Sequence, residues 1–327
     1  MKALSFLDLV IGMVFIYLLF SIACSALWEM VANLRNARGR MLRNWFLTNF
    51  RRGEDTSAGE KILSHPLIRG LEGPKGKSPG YISPRIFAEV ITDLVLHEKP
   101  TPQDEPERAA DIRTLREKLS VTNFLPDAMQ RVFVQHAEES EGVKGVKKSI
   151  GEWYAEVQVQ LTAVYKQKVQ RWILMIAVVL VVAVNADTFR LASWLWTSEE
   201  SRVALVKDAR EFLTDEMVAR QIEGIRTTQE NPMAPQSERK SATALVNATK
   251  TLDKVNREVQ DAGMPVGWDS EAVAITGFWA LIKKIAGLLL TAFAVSLGAP
   301  FWFDLLNKIV VLRSPAKRAG KGLDTDC

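Results

Sequence analysis

Apolar residues gather into three long runs, separated by segments in which apolar positions recur at helical spacing. The first run extends from Phe6 to Met30 and is interrupted only by Asp8 and Glu29; its middle, Leu9 to Leu27, is 19 residues without a charge. A helix rises ~1.5 Å per residue, so about 20 apolar residues match a hydrocarbon core ~30 Å thick. The second run, Trp172 to Trp196, is densest from Trp172 to Val184, after which Asn185, Asp187 and Arg190 follow. The third, Ile285 to Phe303, closes on Gly298-Ala-Pro-Phe-Trp-Phe303. These runs predict three transmembrane helices. A cleaved signal peptide competes for the first run, but it calls for a basic start and a shorter apolar core. Here Asp8 stands near the start and the arginines follow the run, so a retained anchor is expected.

The segments between the runs also read as helical. Ser83-Pro84 starts a helix well, because serine caps free amides and proline suits the first turn. Ile86, Phe87, Val90, Ile91, Leu94 and Val95 then fall on one face. Pro100, Pro102 and Pro106 mark a linker, Ala109 to Leu119 reads as a second helix, and Asp127 to Glu139 as a third. From Lys147 the pattern Ile150, Tyr154, Val157, Leu161, Val164, Tyr165 leads into the second run without a breaker. Between the second and third runs, two stripes repeat at steps of three and four: Val203, Val206, Arg210, Leu213, Met217, and Leu245, Ala248, Leu252, Val255, Val259. They predict an antiparallel hairpin, split around Asn231-Pro232 to Pro235 and projecting from the membrane; two amphipathic helices lying on neighbours fit the same spacing. Met264 to Trp268 should turn the chain back, with Glu271 to Lys284 at the interface.

The expected architecture is therefore all-α with three spans: transmembrane helix 1 (1–30), a helical region (31–146), a long helix entering transmembrane helix 2 (147–196), a helical hairpin (197–270), an interfacial segment with transmembrane helix 3 (271–303), and a basic tail (304–327).

Charge orients this plan. Basic residues cluster after the first run (Arg35, Arg38, Arg40, Arg43, Arg51, Arg52), before the second (Lys166, Lys168, Arg171) and after the third (Lys308, Arg313, Lys317, Arg318, Lys321). Three spans put all three clusters on one side, which the positive-inside rule assigns to the cytoplasm. Residues 31–171 carry 23 basic and 18 acidic residues, whereas residues 197–275 carry 10 and 14, so the second segment belongs outside. The N-terminus is thus expected outside and the C-terminus inside. Tryptophans at run ends (Trp172, Trp194, Trp196, Trp279, Trp302) fit interfacial positions. An apolar content of 47% beside 24% charged residues suits this segregation, and a net charge of +4 gives no footing for nucleic-acid binding.

Candidate chemistry is sparse. Gly73-Pro-Lys-Gly-Lys-Ser78 looks like part of a phosphate-binding loop, but Leu71 occupies the first glycine position and Pro79-Gly80 prevents a helix from following, so it reads as a basic surface loop. His65, His97 and His136 have no partner at metal-ligand spacing, and Cys24 and Cys327 suggest neither a disulfide framework nor a metal site. Cys24 reads as a small packing residue. Asp187 and Arg190, three apart, share a helical face. Either they form a local pair near the outer interface, the preferred reading, or they belong to an ion or proton path. In the third run Gly287, Thr291, Ala294 and Gly298 form a stripe of small residues, with Ser21 and Ser25 as a matching surface on the first. Pro300 should kink or end that helix, leaving the Ser296 carbonyl in need of another donor. Trp302 is expected at the inner interface, with Asp304 and Lys308 beside it.

Several segments resemble a family of uncharacterised bacterial integral membrane proteins: His65-Pro-Leu-Ile68, Pro79-Gly-Tyr-Ile-Ser-Pro-Arg-Ile-Phe87, Gln170-Arg171, Asn185-Ala-Asp-Thr188 and Ser296-Leu-Gly-Ala-Pro-Phe-Trp-Phe-Asp-Leu-Leu-Asn-Lys308. Val157 to Val164 departs from the family pattern. The resemblance implies a bacterial inner-membrane protein and brings no activity or catalytic residues. No catalytic, cofactor or metal site is expected. The leading expectation is a non-catalytic membrane-anchored scaffold or complex subunit, with the bilayer and a protein partner or further copies of itself as partners. The alternative is a homo-oligomeric channel with Asp187 and Arg190 along its pore.

Overall fold

The computed structural model of the chain describes residues 2–51, 55–73, 76–97, 112–230, 241–268 and 277–313. The prolines at 100, 102 and 106, the separator at 231–235, residues 271–276 and the tail beyond Arg313 lie outside the described residues. Among the described residues the fold is helical, with one isolated bridge between Gly73 and Lys77. Three helices are long and apolar enough to cross a membrane: α1 (Lys2–Arg35), α8 (Val143–Val184) and, here numbered α13, Phe278–Ser296. The chain is therefore an all-helical membrane protein with three candidate spans. Its residues divide into two compact units.

One unit covers 32–166 and contains α2 (Ala37–Asn49), α3 (Ser57–Ser64), α4 (Pro66–Arg69), α5 (Pro84–Leu96), α6 (Ile112–Val121), α7 (Asp127–Glu139) and the first part of α8. Local signals set the helix starts: the Ser83 side chain accepts from the Ile86 amide, and His65 Nδ1 caps α4 by accepting from Leu67 N. The apolar stripes converge on an aromatic core. Phe87 stacks on Tyr154 with centroids 4.1 Å apart, flanked by Phe46, Phe50 and Trp153. A β-carbon on Gly59 would stand 2.7 Å from the Phe46 carbonyl, so glycine lets α3 close on α2. The basic loop resembling a phosphate-binding loop has a different use. Asn36, with φ 45°, turns the chain between α1 and α2, and its Nδ2 donates to the Ser78 carbonyl at 3.1 Å. Lys77 Nζ donates to the Asn33 carbonyl at 3.2 Å. Gly39 lets the loop close, since a β-carbon there would collide with the Ser78 carbonyl.

The other unit gathers residues 1–31, 167–230 and the described residues from 242 onward. It holds most of α1, the apolar end of α8, α9 (Thr188–Thr197), α10 (Glu199–Thr214), α11 (Glu216–Glu230), α12 (Ser241–Asp261), α13, and α14 (Ala299–Arg313). The three apolar helices differ in burial. The apolar window of α1 is 89% buried, against 17% for α8 and 28% for α13. α1 is thus enclosed by protein, while Met175, Val179, Leu289 and Phe293 leave the outward faces of α8 and α13 bare.

Three expectations need correction. The second run is not one helix: α8 stops at Val184 and α9 begins at Thr188, because Asn185 adopts φ 53° and Asp187 caps the new helix. Among its described residues the segment after it contains three helices, with Asp215 separating α10 from α11 by accepting from Met217 N at 2.8 Å. The stripe read on α10 is also displaced. Val203 and Met217 are exposed, and the buried face is Leu205, Val206, Ala209 and Phe212. That face packs on α1, with the Phe15 and Phe212 rings edge to face at 5.4 Å, so α10 lies along α1 instead of projecting away from it.

α12 meets α10 through Lys254, which donates to Asp215 at 2.8 Å and lies 5.0 Å from the Phe212 ring centroid. Farther along the same seam, carboxylates crowd together. Burial, then Glu211 and Asp261, push the Asp208 carboxyl above its ordinary range, with Lys207 opposing. Burial, then Asp208, do the same to Glu258, against the pull of Lys254. A carboxyl whose folded pKa is raised contributes stability below its unfolded pKa and loses it as pH rises through the folded value. Asp215 has the opposite sign: its bond from Lys254 holds it low, and its contribution persists above the ordinary carboxylate range. Amide protection in α12, corrected for intrinsic exchange, should therefore increase as pH falls from neutrality towards the carboxylate range. Glu258→Gln should flatten that rise, and a flat wild-type profile would show that the seam carries no such repulsion.

Candidate functional site: the polar break between α8 and α9

The break after α8 concentrates the buried polar groups of its unit. Asn185 is fully buried in the left-handed region, which Asn enters more readily than most residues. Turning there frees carbonyls at the end of α8, and the returning segment 264–268 supplies donors. Gly267 N donates to the Val184 carbonyl at 2.7 Å, and Trp268 Nε1 to that of Val182 at 2.9 Å. In return the Gly267 carbonyl accepts from Asn185 Nδ2 at 2.7 Å and from Arg190 Nη1 at 3.5 Å.

Asp187 and Arg190 were paired by spacing, but each has a defined local task. Asp187 Oδ1 accepts from Phe189 N at 2.9 Å and caps α9, while Arg190 reaches the Gly267 carbonyl. The carboxylate lies directly against α13 at Gly287, where any β-carbon would overlap Asp187 Oδ1. Gly287 is thus a socket for Asp187, a use that a stripe of small residues does not reveal.

Next to it a hydroxyl relay joins three helices. Thr291 Oγ1 donates to the Gly287 carbonyl at 2.9 Å, which uses its proton. Thr188 must then donate to Thr291 at 2.8 Å, and Tyr17 to Thr188 at 3.0 Å. Each hydroxyl has one proton, so the direction is fixed from α1 to α9 to α13. The relay ends on a backbone carbonyl, which does not take up a proton, so it acts as a latch.

The end of α13 forms a second polar cluster. Helix geometry ends at Leu297, and Gly298 turns with φ 92°. The Ala294 carbonyl accepts from Trp302 Nε1 at 2.7 Å, that of Val295 from the Ser21 hydroxyl at 3.0 Å, and that of Ser296 from Gln170 Nε2 at 2.9 Å. The carbonyls thus find donors on α1, α8 and α14, although Pro300 is not the cause. It lies in the first turn of α14, where a missing amide hydrogen costs nothing. Gly298 is needed for its backbone angle, and its open side faces Gln229 of α11, with Ser21 instead serving Val295. Trp302 is buried at 8% exposure, with its ring turned inward against Tyr17. Asp304 is bonded by Arg226 Nη2 at 2.8 Å. Cys24 is buried and donates to the Ile173 carbonyl at 3.5 Å.

Among the described residues no group of three or more His, Cys, Asp or Glu side chains is placed to hold a metal ion. No known family, characterised protein or solved structure matches this chain. In the unit covering 32–166, a groove of about 420 Å³ lies between α5 and α8. Its floor includes Ala88, Gly151 and Ala155; its walls pair Arg85 with Glu89 and Lys148 with Glu152, and add Lys144 and Lys147.

Replacing Asn185 tests the break. Asn185→Gly keeps the backbone angle but loses the amide bond to Gly267, a cost of roughly 1–3 kcal/mol for a buried partner. Asn185→Val adds backbone strain of about 1–2 kcal/mol. Denaturant unfolding in detergent should rank wild type above Gly and Gly above Val. Equal stability of all three would show that the break carries no load.

Proposed function

We propose that this chain is a non-catalytic, membrane-anchored scaffold or subunit of an envelope complex in the bacterial inner membrane, belonging with the membrane protein family it resembles. In this reading the N-terminus is outside, residues 31–146 and the C-terminus are cytoplasmic, and the segment 197–270 starts and ends outside while α11 reaches inward to Asp304. The observation that carries it is the destination of the buried polar groups. Tyr17, Ser21, Thr188, Thr291, Asn185 and Trp302 form bonds that lead to backbone carbonyls, and in this reading they serve to fix the helices to one another. The unit covering 32–166 supplies a surface. Its groove pairs a floor of small residues with Lys144 and Lys147, and fits an acidic helix of a partner protein. Lys144→Glu with Lys147→Glu, both surface changes, should abolish partner capture from solubilised membranes while leaving expression and unfolding unchanged. Unaltered capture by the double variant would remove the groove from the account.

A second reading, a homo-oligomeric pore, is favoured by one observation. α11 follows α9, yet its Arg226 bonds Asp304 beyond the end of α13. The link runs from the loop joining two candidate spans to the far side of the second.

A further inference from the structure

Two of the three apolar helices carry bare apolar faces, and polar groups bracket both of them at both ends. On α8, Lys168 and Arg171 are exposed just before Trp172, and the apolar residues stop at Val184. On α13, Lys283 and Lys284 stand before Ile285, and the helix gives way to the Gly298 turn. The stretches between, Trp172 to Val184 and Ile285 to Leu297, have 13 residues each. Such a stretch rises about 20 Å, whereas the hydrocarbon core is ~30 Å thick.

Cross-links between the helices put the brackets at common levels. At one end Gln170, beside Arg171, donates to the Ser296 carbonyl at 2.9 Å. The last turn of α13 thus lies next to the charged start of the α8 stretch, and Ala299 to Phe303, though apolar, follow that boundary. At the other end Trp268 Nε1 donates to the Val182 carbonyl, and Lys284 Nζ lies 5.4 Å from the centroid of the Trp268 ring. Lys283 Nζ lies 5.8 Å from the centroid of Phe189, whose Cδ2 would stand 3.0 Å from a β-carbon on Gly287. That ring holds the Lys283 ammonium towards Gly287, one turn further into the α13 stretch, so this lysine does not snorkel away from it. The Asp187 carboxylate meets α13 at the same glycine. Charges at bilayer depth must face protein or water, so water and headgroups belong at both levels.

α1 gives the contrast. Its uncharged middle, Leu9 to Leu27, has 19 residues and matches the full hydrocarbon core. Its apolar window is 89% buried, and Leu195 and Leu205 cover it at Gly12. The full-length helix is therefore shielded by protein, and the short stretches present Met175, Val179, Leu289 and Phe293 outward. A short apolar stretch is accommodated by thinning the bilayer, by snorkelling or by oligomerising. The placement of Lys283 argues against the second.

We propose that this chain draws the two headgroup layers together around α8 and α13, to a hydrocarbon thickness of about 20 Å. The lipid that fits this belt is a phospholipid with short acyl chains. The inference goes beyond the scaffold and pore readings and depends on neither; it requires that α8 and α13 cross the membrane.

The test uses the full chain with Cys24→Ala and Cys327→Ser as background. In sealed membrane vesicles of both orientations, Trp279→Cys and Lys308→Cys should react with a membrane-impermeant maleimide from opposite faces. Reaction from the same face would mean that α13 does not cross, and would overturn the proposal. Nitroxides are then placed at Ile282→Cys, Leu289→Cys and Phe293→Cys in dioleoyl phosphatidylcholine bilayers, and their collisions with oxygen and with a water-soluble nickel chelate are measured. Ile282→Cys should meet nickel, and the two deeper labels should meet oxygen at a depth of about 10 Å, half the proposed thickness. A label at 282 sealed from nickel, with the deeper ones at ~15 Å, would give the belt ordinary height and overturn the proposal. Deeper labels shielded from both reagents would mean that a second copy or another protein covers the belt, which would overturn it as well. The unsubstituted chain supplies the last arm. Its heat-unfolding midpoint should be highest in dimyristoleoyl phosphatidylcholine vesicles, lower in dioleoyl and lowest in dierucoyl; a maximum in either longer lipid would contradict the proposal.

Discussion

Every helix that breaks inside this unit frees backbone carbonyls, and lipid offers them no water; the need to supply donors organises the rest of the structure. An unmet buried carbonyl costs roughly 1–3 kcal/mol. At the end of α8 the donors come from Gly267 and Trp268 of the returning chain. At the end of α13 they come from Ser21, Gln170 and Trp302. The two breaks therefore determine which segments must meet. α1 contributes a donor to each neighbourhood, Tyr17 to the α9 latch and Ser21 to α13, which explains why the most apolar helix is enclosed rather than lipid-facing.

Enclosing α1 divides the unit into two faces. α8 and α13 shield it with side chains suited to lipid, and α10 shields it with an amphipathic helix whose far side is charged. In a symmetric bundle every outward face would be apolar. Here α10 and α11 expose charged side chains while the outward faces of α8 and α13 are apolar. The unit covering 32–166 has its own aromatic core and does not need that arrangement for its packing.

Much of this was legible in the sequence because it is locally encoded. Ser83-Pro84 sets the start of α5, the Asp127 to Glu139 pattern gives α7, and the run through Tyr154 and Leu161 continues into α8. The three apolar runs each yield a helix of spanning length. What escaped depends on partners far away in the chain. The buried face of α10 was displaced because α1 selects Leu205 and Phe212, whereas spacing alone favoured Val203 and Met217. Apolar density hid the break at Asn185, although Asp187 before Thr188 is a capping signal. Gly287 and Gly298 fell on one stripe of small residues, yet one receives a carboxylate and the other supplies a positive φ. The position of Trp302 at the end of a run did not show that its indole turns inward and donates to the Ala294 carbonyl.

The supply of donors to broken helices is tested most directly by removing a donor while keeping its shape. Gln170→Met removes the donor to the Ser296 carbonyl while keeping a side chain of similar length, and Ser21→Ala removes one of two donors to the Val295 carbonyl, which also accepts from Gly298 N at 3.2 Å. Denaturant unfolding of the full chain in detergent should show Gln170→Met less stable by roughly 1–3 kcal/mol, the cost of leaving a buried carbonyl unmet, and Ser21→Ala less stable by roughly 0.5–1.5 kcal/mol, the net value of one of two bonds. Stabilities indistinguishable from wild type for both variants would mean that these carbonyls are satisfied otherwise, and the organising role given to them would be wrong.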